Sequence, residues 1–220
     1  EGTTVTVTVE PLPVSEVSEA TETVCSGFST SKTTGSLTGN EGIQDAGIGD
    51  AYLIEAVLTS GIATGFTLSQ SSVAALTDID DGLLLNTSAS DAVVTYSVSA
   101  YTFGPNGIDD DGLVDDCVAT AVTLTVTVNP EPVVADQTST ECSDIALGVN
   151  FNSSTSVAAV TYNITALDLN GLSVSAGGAA VGNGLSASDL ADDAFTNTTS
   201  APVDVEYTVV PVSAAGCEGD

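Results

Sequence analysis

Thr6-Val-Thr-Val-Glu-Pro11-Leu-Pro-Val14 returns 119 positions later as Thr125-Val-Thr-Val-Asn-Pro130-Glu-Pro-Val133. Alternating Val and Thr is the period-two signature of a strand with one buried and one solvated face. The Pro-x-Pro that follows cannot extend a sheet and stiffens the chain into a joint. A strand and joint written twice make the sequence read as part of an array of modules.

Other stretches repeat in step. Ala51-Tyr-Leu-Ile-Glu-Ala56 corresponds to Thr161-Tyr-Asn-Ile-Thr-Ala166, and Val94-Thr-Tyr-Ser-Val98 to Val205-Glu-Tyr-Thr-Val209. Asp78, Asp81 and Asn86-Thr87 correspond to Asp189, Asp192 and Asn197-Thr198, each displaced by 111. The repeat divides the chain into residues 1–9, the closing strand of a preceding repeat; 10–128, a first repeat with an acidic loop insertion; and 129–220, a second repeat lacking its closing strand. By this phase Thr3–Val9 completes a module that precedes the chain. The strand missing from the second repeat is expected from covalent continuation, with insertion from a separate subunit as the other route.

Further alternating runs at Val93–Ser99, Val122–Val128 and Val203–Val209, punctuated by Gly and Asn/Asp clusters, predict an all-β fold of tandem immunoglobulin-like sandwiches. Only Ser71–Leu76 and Ser186–Leu190, each a Ser before a short Ala/Leu stretch, suggest a single helical turn.

Composition bounds the function. Thirty acidic residues stand against one basic residue, Lys32, giving a formal net charge of −29. Such a field makes nucleic acid and anionic membrane surfaces poor partners, because phosphate binding needs the Lys and Arg that are missing, and makes divalent cations the natural counterions. No His is present, which removes imidazole catalysis; Met and Trp are also absent. A chain nearly free of Lys and Arg offers trypsin-like proteases little to cut, which suits long exposure outside a cell. No apolar run is long enough to span a bilayer, and no basic signal-peptide region opens the chain.

Each copy holds two cysteines, Cys25 with Cys117 and Cys142 with Cys217, pointing to an oxidising compartment. Among the three pairings that four cysteines allow, the repeat favours Cys25–Cys117 and Cys142–Cys217, because a recurring unit should close on itself.

The loop Gly104–Asp116 is an insertion specific to the first copy. Its Asn106, Asp109, Asp111, Asp115 and Asp116 offer the flexible, oxygen-rich donor set that Ca²⁺ prefers. No Glu closes a twelve-residue EF-hand loop there. Asp78-Ile-Asp-Asp-Gly82 and its counterpart Asp189, Asp192 and Asp193 read better as turns in which an Asp caps its own backbone. Sequons at Asn86, Asn152, Asn163 and Asn197 are chemically valid, but Ser/Thr-rich chains produce them by chance.

Thr125–Val134, Glu141-Cys-Ser-Asp144, Tyr162-Asn-Ile-Thr165, Asn197-Thr-Thr199 and Tyr207–Asp220 together resemble the PKD-like repeats of giant cell-surface adhesins of gliding Bacteroidota. The second copy resembles them over almost its full length. The first departs, with Ser26-Gly27 after its cysteine where the second has Ser143-Asp144, and with longer loops. The resemblance implies an extracellular, cell-surface filament or adhesin stalk, non-enzymatic, exported by the type IX system, whose partners are adjacent repeats of the same filament and surface polysaccharide or other cells. The alternative is a carbohydrate-binding accessory module of a secreted enzyme, which needs exposed aromatic side chains where this chain has five Tyr and five Phe.

Overall fold

The computed structural model describes residues 2–7, 13–35, 50–80, 82–102 and 117–219. These residues are all-β with no helix among them, as the period-two runs require. The chain forms two compact units: residues 1–86 with 91–128, and residues 87–90 with 129–220.

The first unit carries β1 (Thr21–Cys25), β2 (Asp50–Ser60), β3 (Ser69–Val73), β4 (Ala92–Thr102), β5 (Cys117–Val118) and β6 (Val122–Asn129). They make one sheet in the order β1-β6-β4-β2-β3, with β5 also pairing β4. Strand β4 is the spine. Its Ala92, Val94, Tyr96, Val98 and Ala100, every second residue, are fully buried. Strand β6 pairs β4 antiparallel, Leu124 opposite Tyr96, Val126 opposite Val94 and Val128 opposite Ala92, and these three β6 residues are also fully buried. With Tyr52, Ile54, Ile79 and Leu84 they make one continuous core. Facing segments close over it through bridges such as Thr33 with Asp78 and Phe28 with Leu84.

The second unit carries β7 (Ala159–Asp168), β8 (Ser173–Ala176), β9 (Gly182–Leu185), β10 (Ala194–Thr196) and β11 (Glu206–Ser213). One sheet has the order β11-β7-β9 and a smaller one pairs β10 with β8. Phe151 stacks on Tyr162 at 4.5 Å and Phe195 meets Tyr207 edge-on at 6.4 Å.

The helical-turn expectation is corrected at both places. Ser71–Leu76 finishes β3 and turns, with Ser72 and Leu76 at φ 58° and 57°, a left-handed backbone that no right-handed helix contains. At 186–193 the chain makes successive i→i+3 turns, Asp189 N–H to Ser186 and Ala191 N–H to Ser188, without becoming a helix. Thr3–Val7, expected as strand, lies outside any strand and is exposed; Thr8 and Val9 lie outside the described residues.

Candidate functional site

The same local machinery is built twice. In the first unit Tyr52 lies opposite Ala100 and Val73, and Ile54 opposite Val98 and Gln70. In the second, Tyr162 lies opposite Pro211 and Leu185, and Ile164 opposite Val209 and Gly182. The sheet β11-β7-β9 is therefore the counterpart of β4-β2-β3, register included. Beneath each sheet a tyrosine donates to a buried aspartate: Tyr96 OH to Asp80 Oδ2 at 3.1 Å, and Tyr207 OH to Asp193 Oδ2 at 2.7 Å. Asp80 and Asp193 are 1% and 3% exposed. Burial first, then the adjacent carboxylate, pushes both phenols well above the ordinary tyrosine range.

A sharp turn at the first cysteine of each copy also recurs. Phe28 N–H reaches the Cys25 carbonyl at 3.3 Å, and Ile145 N–H the Cys142 carbonyl at 3.1 Å. Ser26 Oγ accepts from Asn86 N–H at 3.1 Å, and Ser143 Oγ from Asn197 N–H at 3.0 Å. The third turn residue is left-handed in both, Gly27 at φ 84° and Asp144 at φ 65°. Glycine and aspartate are among the residues that tolerate that conformation, so the departure at Gly27 and Asp144 leaves the turn unchanged.

What differs is the far side of the spine strand. In the first unit β4 lies between β2 and β6, and β6 lies between β4 and β1. In the second, β7 is the one strand that β11 pairs among the described residues, and residues 217–219 bridge its end as β5 does that of β4, Val212 to Glu218, with Gly219 N–H on the Pro211 carbonyl and Ser213 N–H on the Cys217 carbonyl, both at 2.9 Å. Residues 138–142, which spell Thr-Ser-Thr-Glu-Cys where β1 spells Thr-Glu-Thr-Val-Cys, form no strand and are exposed. Adding 111 to Ala92 places the start of a β4-like strand at Val203, but β11 begins at Glu206. The edge of β11 over Glu206–Val210, which no strand other than β7 pairs among the described residues, and the exposed 138–142 segment are the candidate functional site.

The expected cysteine pairing is overturned. Cys25 and Cys217 are each disulfide-bonded, while Cys117, half-buried, and Cys142, exposed, carry free thiols. Geometry gives the reason. Asn86 joins Ser26 to the Val128 carbonyl, which its side chain reaches at 2.8 Å, so Cys25 sits at the end of the sheet where Val128 faces Ala92. Cys117 faces Thr102, ten residues farther along β4, or about 33 Å at ~3.3 Å per residue. A disulfide needs Cα atoms within about 7 Å. In the second unit Cys217 N–H binds Ser213 Oγ at 3.1 Å, beside the start of β7 at Ala159. Cys142 belongs to the turn whose Asp144 binds Thr196, opposite Ser173 just beyond the other end of β7. Symmetry marks which cysteines correspond; it does not show which end of the sheet each occupies.

Other expected features fall as follows. Asn106, Asp109, Asp111, Asp115 and Asp116 lie outside the described residues. Asp80 caps its own turn through Gly82 N–H at 2.9 Å, the role read from the sequence, but its counterpart is Asp193 at a displacement of 113. Two additional residues separate Asp80 from Leu84, whose carbonyl takes Gly27 N–H as Phe195 takes Asp144 N–H. The sequon residue Asn86 is buried with its amide donating to Val128. Tyr52, Tyr96 and Tyr101 are fully buried, core rather than sugar platform.

The match to known families falls on the second unit. Residues 139–220 are matched by the PKD-like domain family. The PKD-like region thus contains β7 to β11 and the pair formed by half-buried Tyr207 with buried Asp193. Compared with curated proteins and with solved structures, the chain finds no significant match.

Proposed function

We propose that the chain is a structural repeat of an extracellular, cell-surface filament or adhesin stalk, stabilised by disulfide bonding and by Ca²⁺ held in the 104–116 loop. The observation that carries this reading is the duplication in detail: sheet register, tyrosine–aspartate pair and cysteine turn recur in two units, one of which matches the PKD-like family. Duplication of the buried frame is the pattern of a module selected for length and stability. Bonded cysteines support an oxidising environment, and the formal charge of −29 keeps neighbouring stalks apart.

Proteinase K treatment of intact cells, with an antibody against this chain as readout, tests the location. Loss of the signal from unbroken cells is expected; a signal lost only after lysis overturns the reading. Thermal melts with Ca²⁺ and with chelator test the ion, which stabilises by mass action if it binds the native state alone. A higher Tm with Ca²⁺, erased by Asp109→Ala with Asp111→Ala, is expected. Identical melts of the unaltered chain remove calcium and leave the module.

A further inference from the structure

We infer that a cavity in the second unit binds a small organic ammonium ion, its charge met by Asp189, Asp192 and Asp193 and its hydrocarbon stem by Ile164, Leu185 and Leu190. The inference goes beyond the stalk reading and stands whether or not that reading holds.

The cavity measures about 420 Å³, within the ~300–1,000 Å³ usual for small-molecule sites. The first unit shows how it arises. Tyr52 lies opposite Val73 and Ile54 opposite Gln70, as Tyr162 lies opposite Leu185 and Ile164 opposite Gly182, so residues 66–73 correspond to 178–185. Phe66 packs against the first core and Gln70 donates to the Ile79 carbonyl at 2.7 Å. Their counterparts, Gly178 and Gly182, have no side chain. The frame is copied and its filling is not, and both glycines line the space left behind, with Ile164, Leu185 and Leu190.

Charge enters where the filling is lost. Fully buried Ile79, next to Asp80, corresponds to exposed Asp192, next to Asp193. Asp80 receives four donors: Thr67 N–H, Thr67 Oγ1, Gly82 N–H and Tyr96 OH. Asp193, 3% exposed, receives Tyr207 OH and the N–H of Ala179, the counterpart of Thr67 without its hydroxyl. A carboxylate accepts at about four positions, so this buried group on the cavity wall keeps acceptor capacity that the first unit fills from its own chain. Asp189 and Asp192 line the same space, and their charges act on Asp193. The chain's one basic residue, Lys32, lies in the first unit with Glu19 at 3.0 Å, so the counter-charge must come from outside. No group of three or more His, Cys, Asp or Glu among the described residues is placed to hold a metal ion, whereas an ammonium on an apolar stem satisfies both kinds of wall.

Titration of the full chain with butylammonium chloride at neutral pH, followed by amide NMR shifts, tests this. Saturable shifts confined to 164 and 177–193 are expected, and butanol, the same stem without the charge, should produce none. Gly182→Gln restores the side chain that Gln70 has in the first unit. The β-carbon it adds meets Leu185 Cδ2 at 3.6 Å, an ordinary contact, so the fold is kept while the cavity fills, and the shifts should disappear. Asp192→Asn with Asp193→Asn should weaken binding at least about tenfold, because two charge-assisted acceptors are removed. Putrescine against Nα-acetyl-lysine methylamide separates the two sources of such a group, a free amine and the lysine of a protein partner, by which of them binds more tightly. Shifts spread over both units as sodium chloride spreads them would overturn the inference. So would shifts that Ca²⁺ reproduces at the same residues, or binding that survives Gly182→Gln.

Discussion

Asp80→Asn and Asp193→Asn exchange the same atom at equivalent places, and the structure assigns them different costs. Asp80 Oδ2 accepts Thr67 N–H at 2.7 Å and Tyr96 OH at 3.1 Å, while Oδ1 accepts Gly82 N–H at 2.9 Å and Thr67 Oγ1 at 3.3 Å. Each oxygen serves one main-chain N–H, which cannot reverse its role. Whichever way the amide of Asp80→Asn is turned, its NH₂ faces one of those N–H groups and leaves it without an acceptor inside a closed core. An unsatisfied buried donor costs about 1–3 kcal/mol, and the remaining bonds lose the strength an ionised acceptor gives them. The expected loss is about 2–4 kcal/mol. Asp193 is bound by Tyr207 OH at 2.7 Å and by one main-chain donor, Ala179 N–H. The amide of Asp193→Asn satisfies both, its oxygen taking the N–H and its NH₂ donating to a phenol that turns to accept. Burial first, and the charges of Asp192 and Asp189 besides, also raise the Asp193 carboxyl above the usual range, so the exchange removes a charge the fold disfavours. The expected cost is under about 1 kcal/mol. Urea denaturation at neutral pH, followed by tyrosine fluorescence and by near-ultraviolet circular dichroism, measures both. Equal losses, or a neutral Asp80→Asn, would refute this account of the two cores.

Further outcomes follow from titration and thiol chemistry. The raised Asp193 carboxyl makes the native state bind its proton more tightly than the unfolded chain does, so its contribution to stability falls as pH rises from the usual carboxylate range through the raised pKa; Asp193→Asn should flatten that slope in urea melts taken as a pH series. Glu22 behaves oppositely: burial pushes it up, but hydrogen bonds from Ser31 and Thr30 outweigh burial and hold it below its ordinary value. Its contribution is therefore present above the usual range and lost as pH falls through the lowered pKa, and Glu22→Gln should remove that acid sensitivity. Tyr52, Tyr96 and Tyr207 have phenols raised chiefly by burial. Absorbance at alkaline pH should show them ionising only with unfolding, so three phenols titrating normally while the fold persists would contradict the packing. Alkylation without reduction, read by peptide mass spectrometry, should modify Cys142 rapidly and Cys117 more slowly, and an unmodified pair would restore the bridges expected from symmetry.

How much was legible differs by the range of the physics involved. Strands β2, β4, β6, β7 and β11 are visible because alternate burial writes Val, Thr and Tyr at period two. The cysteine turn is legible as Cys-Ser-x, although the reason Gly27 and Asp144 are interchangeable appears only with their left-handed backbone. Ser71–Leu76 misleads because its composition fits a helical turn, while pairing of β3 with β2 decides its conformation. The Asp80–Asp193 correspondence escapes a fixed displacement because the loops after the two aspartates differ by two residues. Each tyrosine below its strand, with an aspartate upstream near a recurring turn, is the signal that could have found it. Disulfide partners were illegible for a different reason. Which end of a strand approaches which other end is set by sheet order, and sheet order is not written in local alternation.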